Sequence, residues 1–219
     1  MNAMEPRQAY RLWAPTYTAE TVVSFLDEEL ATALSPALKG KRLLDAGCGT
    51  GRRLGGHAAA LVVGVDLSLE MLQAGAAACV AVADVGNLPF LPGSFDLVWC
   101  RLVLGHIPDP EPAYREFARV CRVGGYLFVS DFHADAIAAG HRRTFRDQKG
   151  MLHEIEHFAH DGAAHIEMAA SAGFAMRARR DGLVGPSVES FYIRAGREAV
   201  YRNDCGLALV TAFLFQYIR

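Results

Sequence analysis

Five short apolar segments at 42–46, 61–66, 80–84, 95–100 and 126–131 narrow the folds open to this chain. Each has strand length and is rich in residues that suit a pleated, buried surface. The intervening stretches have helical spacing: 52–60, 69 to about 78 behind the cap candidate Ser68, and 110–121 with proline near its start. Strands alternating with helices at this spacing predict a parallel sheet with helices on both faces.

The flanks differ. The first 35 residues read as helix, with a stripe of Val22, Val23, Phe25, Leu26 and Leu30 bounded by Pro15 and Ser35-Pro36. Residues 133–160 are polar and rich in His and Arg. A helix follows at 161–172, ended by Gly173, and then two strands at 174–183 and 205–218. The last strand comes without a normal crossover, which predicts an antiparallel closing hairpin. No linker divides the chain, so one domain is expected: 1–35 as a helical lid, 36–132 as the core, and 133–219 as the variable side with the closing strands.

Composition excludes several classes. A formal charge of −2 over 219 residues does not suit a nucleic-acid binder. The longest unbroken apolar run, at 76–83, is far short of the ~20 residues of a membrane span. Five cysteines with no CxxC pair read as reduced thiols in a cytoplasmic protein.

The segment Asp45-Ala-Gly47-Cys-Gly49-Thr-Gly51 joins the first strand to the next element, where open α/β sheets bind ligands. Glycines there permit a tight turn and close approach of backbone N–H groups. The spacing is G-x-G-x-G rather than the dinucleotide G-x-G-x-x-G. Asp66 ends the second strand and suits a ribose diol, or else caps the next helix. Asp84 ends the third strand and suits an exocyclic amine, or else a turn. No P-loop lysine is present. Three carboxylates around a glycine loop favour a cationic nucleoside over a pyrophosphate.

These residues resemble the class I S-adenosylmethionine-dependent methyltransferases, in their small-molecule "type 11" branch that includes quinone-pathway and biotin-pathway enzymes. The resemblance rests on Leu43-Leu-Asp-Ala-Gly-Cys-Gly-Thr-Gly51, Val63-Gly-Val-Asp-Leu-Ser68, Ala83-Asp-Val-Gly-Asn-Leu-Pro-Phe90, Gly93-Ser-Phe-Asp-Leu-Val98 and Val120-Cys-Arg-Val-Gly-Gly-Tyr-Leu127. It implies a Rossmann-like seven-stranded sheet in the order 3-2-1-4-5-7-6, with strand seven antiparallel. It implies S-adenosylmethionine as cofactor, S-adenosylhomocysteine as product, and a small-molecule acceptor methylated by in-line displacement. Asp45, Gly47, Cys48, Gly49 and Gly51 would line the methionine part, and Asp66 would hold the ribose. Leu67 and Met71 would pack on adenine, Asp84 and the Val85 backbone would read its edge, and the backbone near Cys100 and Arg101 would approach the ammonium. The 52–60 helix departs from the pattern through Gly55-Gly56.

Acceptor choice would fall to 1–35 and 133–172. Tyr10 and Tyr17 resemble paired lid tyrosines, or else pack the first helix, where Trp13 is a packing anchor. His133, His157 and His160 are candidates for touching the acceptor, and Tyr17 and His160 are the candidate bases. His153-Glu-Ile-Glu-His157 matches H-E-x-x-H, and its alternation does not decide between helix and strand; the resemblance implies a strand and loop here, which would hold the histidines too far apart for zinc. The basic runs 141–146 and 177–180 read as solvated faces, or as attractors of an anionic ligand. An NAD(P) oxidoreductase and a non-catalytic cofactor binder are the competing readings, and a monomer or homodimer is expected.

Overall fold

The computed structural model describes residues 3–17 and 20–219. Its seven-stranded sheet is built from β1 (Arg42–Ala46), β2 (Leu61–Asp66), β3 (Val80–Val82), β4 (Phe95–Arg101), β5 (Cys121–Phe132), β8 (Phe174–Leu183) and β9 (Ala208–Tyr217). A separate hairpin pairs β6 (Thr144–Arg146) with β7 (Leu152–Glu154). The sheet runs β3-β2-β1-β4-β5-β9-β8, which is 3-2-1-4-5-7-6 when the hairpin strands are not counted. β9 is antiparallel to both neighbours, so the closing pair forms as expected.

Strand alternation sends successive side chains to opposite faces. Leu44, Val98, Leu127, Val129 and Phe213 face one core, which α4 (Glu111–Val120) and α6 (Gly162–Ser171) cover. Leu43, Leu97, Phe128 and Ala212 face the other, under α2 (Val22–Leu34) and α7 (Glu189–Arg194). The remaining helices are α1 (Pro6–Trp13), α3 (Leu69–Ala74), α5 (Ala134–Ala138) and α8 (Glu198–Asp204).

Three expectations are corrected. The 52–60 helix does not form. Gly56 takes φ +80°, and the His57 imidazole donates 2.6 Å to the Arg53 carbonyl, so this crossover is irregular. The N-terminal helix is two helices, α1 and α2, with a 3-10 turn at Ala14–Thr16. Thr21 caps α2 in a reciprocal pair with Ser24. Thr18 and Ala19 of the expected stripe helix lie outside the described residues. The last crossover is not missing, because α7 and α8 occupy it.

The polar stretch 133–160 contains the β6/β7 hairpin, which carries the N-terminal segment. Met4 bridges Ile155, and Ala9, Phe145 and Ile155 form a small buried core beside Trp13 and Tyr10. Trp13 stacks on Phe145 at 5.1 Å. These contacts hold α1 above the carboxyl edge of β1, β2 and β4.

Candidate active site at the carboxyl edge of the sheet

The glycine loop leaves β1 with Gly47, Gly49 and Gly51 all at positive φ, between +59° and +86°. At Gly47 an added Cβ would lie 2.2 Å from Val103 Cγ2, so the loop passes directly against the segment after β4. The Asp66 carboxylate pins this geometry. One oxygen accepts from Gly49 N at 2.8 Å and the other from Ser68 N at 2.9 Å. Ser68 in turn caps α3 through Met71 N.

A cavity of about 230 Å³ opens here. Its wall includes Gly47, Cys48, Gly49, Asp66, Leu67, Met71, Asp84 and Val85, all expected for a nucleoside ligand, together with Tyr10, Tyr17 and Arg101. The other expected residues lie elsewhere. Asp45 is buried just ahead of the loop, and Cys100 is fully buried in the sheet core. Gly51 opens on a neighbouring cleft of about 810 Å³, along the irregular crossover. Asp84 is exposed and closes its own turn by accepting from Gly86 N at 2.8 Å.

The histidine expectations are mostly redirected. His133 caps α5, accepting from Asp135 N. His160 donates to the Ile107 carbonyl at 2.9 Å and is not part of the cavity wall. His157 lies beneath the site, 3.6 Å from Asp131. His153 sits on β7 and pairs with Asp147 at 2.9 Å, while His157 follows that strand. The H-E-x-x-H letters therefore share no helical face, and no metal cluster occurs among the described residues.

His106 is on the wall and was missed. Its Nδ1 lies 3.0 Å from the Glu156 carbonyl, which can only accept, so Nδ1 carries the proton. Nε2 is then the acceptor for the Tyr10 hydroxyl at 3.0 Å. Burial, aided by the Arg143 charge, pushes the His106 pKa down to about 4, so the ring is neutral near pH 7. Burial likewise pushes the Tyr10 hydroxyl up. The overlooked signal was position: the loop after β4 ends at the same sheet edge as the glycine loop.

Arg101 belongs to a buried ion network. Its Nη2 donates to Asp27 and Glu28, both at 2.8 Å, and Arg53 reaches the same Asp27 oxygen at 2.9 Å. Ser130 completes the Asp27 shell. Arg101 Nη1 stays buried without a partner. The residue after it, Leu102, has φ +59° and also lines the cavity. That is a strained conformation for a side-chain-bearing residue.

Burial pushes the Asp45 carboxyl up to about 6, only partly offset by Arg101 and Arg53. Burial also raises Asp66, against its backbone hydrogen bonds. A cationic ligand would relieve both carboxylates. The orphaned Arg101 Nη1 and the glycine cradle, which a side chain at Gly47 would disrupt, fit a ligand with a carboxylate and a close-lying nucleoside.

A family model described as a methyltransferase domain matches residues 44–129. A ubiquinone biosynthesis O-methyltransferase of Ralstonia nicotianae is 33% identical over 182 residues, covering 78% of this chain and 76% of that enzyme. A malonyl-[acyl-carrier protein] O-methyltransferase of Erwinia billingiae is 35% identical over 63% of this chain and 57% of its own length. Among solved structures, an S-adenosylmethionine-dependent methyltransferase from Mesorhizobium loti superposes with a TM-score of 0.68. It is 20% identical and matches 90% of this chain and all of that one, which speaks to the fold.

Proposed function

The chain belongs to the class I S-adenosylmethionine-dependent methyltransferases and transfers a methyl group to a small-molecule acceptor; from this premise we propose how its residues divide the work. The cofactor supplies an electrophilic methyl already activated on sulfur. The chain's task is to hold it and to bring an acceptor atom into line, and such positioning is worth about 7–11 kcal/mol.

Asp66 holds the ribose diol, and Leu67 and Met71 flank the base beside Asp84 and Val85. The Gly47–Gly49 backbone approaches the methionine part. Asp45 supplies negative charge near the ammonium, and Arg101 Nη1 faces the carboxylate. Asp66 supports this arrangement most directly, because a half-buried carboxylate at the end of β2 organises the glycine loop and still lines the cavity.

On the acceptor side, Tyr10, Tyr17 and His106 take the place expected of His160. His160 supports them by bonding the Ile107 carbonyl, one residue from His106. Within 1–35, α1 and the turn after it act as the lid while α2 packs in the core, and 36–132 form the cofactor core and 133–219 the acceptor side.

Calorimetric titration with S-adenosylhomocysteine tests the assignment. Wild type is expected to bind in the micromolar range, and Asp66→Ala to bind at least tenfold more weakly. Wild type that takes up no S-adenosylhomocysteine, or an Asp66→Ala protein of unchanged affinity, defeats it.

A further inference from the structure

Asp131, His157 and His165 form a buried ionisable cluster that the division of work above leaves without a role. Asp131 lies near the end of β5 and is 1% exposed. Its Oδ1 accepts from Phe132 N at 2.7 Å and lies 3.6 Å from His157 Nε2, while its Oδ2 lies 3.5 Å from His165 Nε2. Burial by itself raises a carboxyl, yet His157 and His165 hold Asp131 well below the ordinary carboxylate range. An ionised carboxylate is faced by N–H groups rather than by lone pairs, so both Nε2 atoms carry protons. His165 Nδ1 then accepts from the buried Tyr114 hydroxyl at 2.8 Å, which ties Asp131 to α4 and α6. Asp131 is thus a fixed anchor, and His157 is the arm that reaches from it toward the site.

That arm ends under His106. The two imidazole rings meet edge to face, 5.5 Å apart at 85°. Gly105 makes the approach possible, because a Cβ there would lie 2.1 Å from His157 Nε2 and 2.7 Å from Asp131 Oδ1. The backbone on either side of His157 grips the same segment. The Glu156 carbonyl accepts from His106 Nδ1 at 3.0 Å, and Phe158 N donates to the Gly105 carbonyl at 2.7 Å. Glu156 N in turn donates to the Met4 carbonyl at 2.9 Å, just ahead of α1, whose Tyr10 hydroxyl meets His106 Nε2. Arg143 also acts on the His106 ring, from a wall shared with a second cavity of about 400 Å³ that Trp13, Phe132 and Arg197 line as well.

We infer that Asp131 and His157 are positioning residues: they seat residues 156–158 against Gly105 and His106, which holds His106 as its Nδ1–H tautomer and keeps the Nε2 lone pair at the cavity wall. The inference rests on the placement of His106 on the acceptor side. A lone pair fixed there orients an acceptor by taking its hydrogen bond, without charging the ring. The Tyr10 hydroxyl can donate or accept and so follows either tautomer. The Glu156 carbonyl can only accept, so its position decides which tautomer forms.

The test is long-range proton–nitrogen correlation NMR on the full chain carrying isotope-labelled histidine, with His106 assigned by the signals lost in His106→Gln. Tautomers are read without cofactor, and shifts on adding S-adenosylhomocysteine then report the cofactor assignment separately. In wild type at pH 7, Nδ1–H is expected to outweigh Nε2–H at His106 by at least tenfold, with a proton on His157 Nε2. Tyr10→Phe should leave the His106 ratio in place. His157→Phe fills the space with a ring that cannot donate to Asp131, and should lower the ratio at least fivefold, whereas a ring that merely packs would be replaced without effect. Asp131→Asn keeps one acceptor oxygen and should lower the ratio by less. His106 found as Nε2–H, His157 bare at Nε2, a ratio that collapses in Tyr10→Phe, or a ratio unchanged in folded His157→Phe or Asp131→Asn overturns the inference.

Discussion

Asp45 shows how one residue can carry the pH dependence of a site. Its pKa of about 6 lies above the ordinary carboxylate value, so the folded state holds its proton longer than the unfolded state. Its contribution to stability is therefore lost as pH rises from about 4 to about 6. A shift of about two units corresponds to about 3 kcal/mol. A ligand ammonium nearby reverses the preference and favours the ionised form. Affinity for S-adenosylhomocysteine is expected to rise about tenfold between pH 5 and pH 7 in wild type, and to be weaker and flatter in Asp45→Asn. A wild-type affinity that stays level over that range would remove Asp45 from the cofactor's surroundings. The sequence displayed Asp45 and Asp66 because each ends a strand next to glycines. It hid His106 and showed Arg143 only as part of the basic run 141–146, because the neighbours of both come from distant parts of the chain. Tyr10 and Glu156 set the protonation of His106, and Phe132 faces Arg143.

At the scale of elements, local chemistry decided where strands begin and end. Arg42–Ala46, Leu61–Asp66 and Phe174–Leu183 form with the expected bounds and the other core strands differ by a few residues; the central strands are legible because both faces of the parallel part of the sheet are buried. The 52–60 segment does not form a helix because two adjacent glycines weaken one by about 1 kcal/mol each. The 144–154 hairpin was illegible because its register depends on α1 packing over Phe145 rather than on its own periodicity. The loop after β1 is the most constrained of these elements. Gly47→Ala places a Cβ against Val103 at a φ that alanine rarely adopts. It should cost roughly 1–3 kcal/mol of stability and weaken S-adenosylhomocysteine binding at least tenfold. Adding Val103→Ala should recover the steric part of the stability loss in denaturant titration, but not the backbone part. Full recovery would mean that the positive φ carries no strain.

Across the whole molecule, the Asp27–Arg101 pair ties α2 to β4 and β5 through a buried network. Removing one partner of such a pair costs about 3–5 kcal/mol, because the other charge is stranded. Asp27→Ala is expected to lower the melting temperature by about 10 °C, and by far more than the exposed-pair variant Glu111→Ala, whose partner is Arg115. Similar losses from the two variants would show that the network is open to water. This network also supports the site, since Arg101 and Arg53 reach both Asp27 and the cavity wall.

The sequence by itself determined the sheet, its order by resemblance, and the glycine-loop and strand-end residues that line the first cavity. Those features are local: a strand's alternation, a glycine's freedom and a carboxylate at a strand end are all written within a few residues. Tertiary structure alone decided which distant side chains come together around the cavities. Trp13, His106, Arg143 and Arg197 lie on four separate segments, and only packing the N-terminal helix onto the hairpin and the final crossover brings their side chains around one pair of cavities. A basic run that reads as a solvated face in one dimension becomes a charged wall in three, because burial and the lack of a partner are properties of the assembled fold.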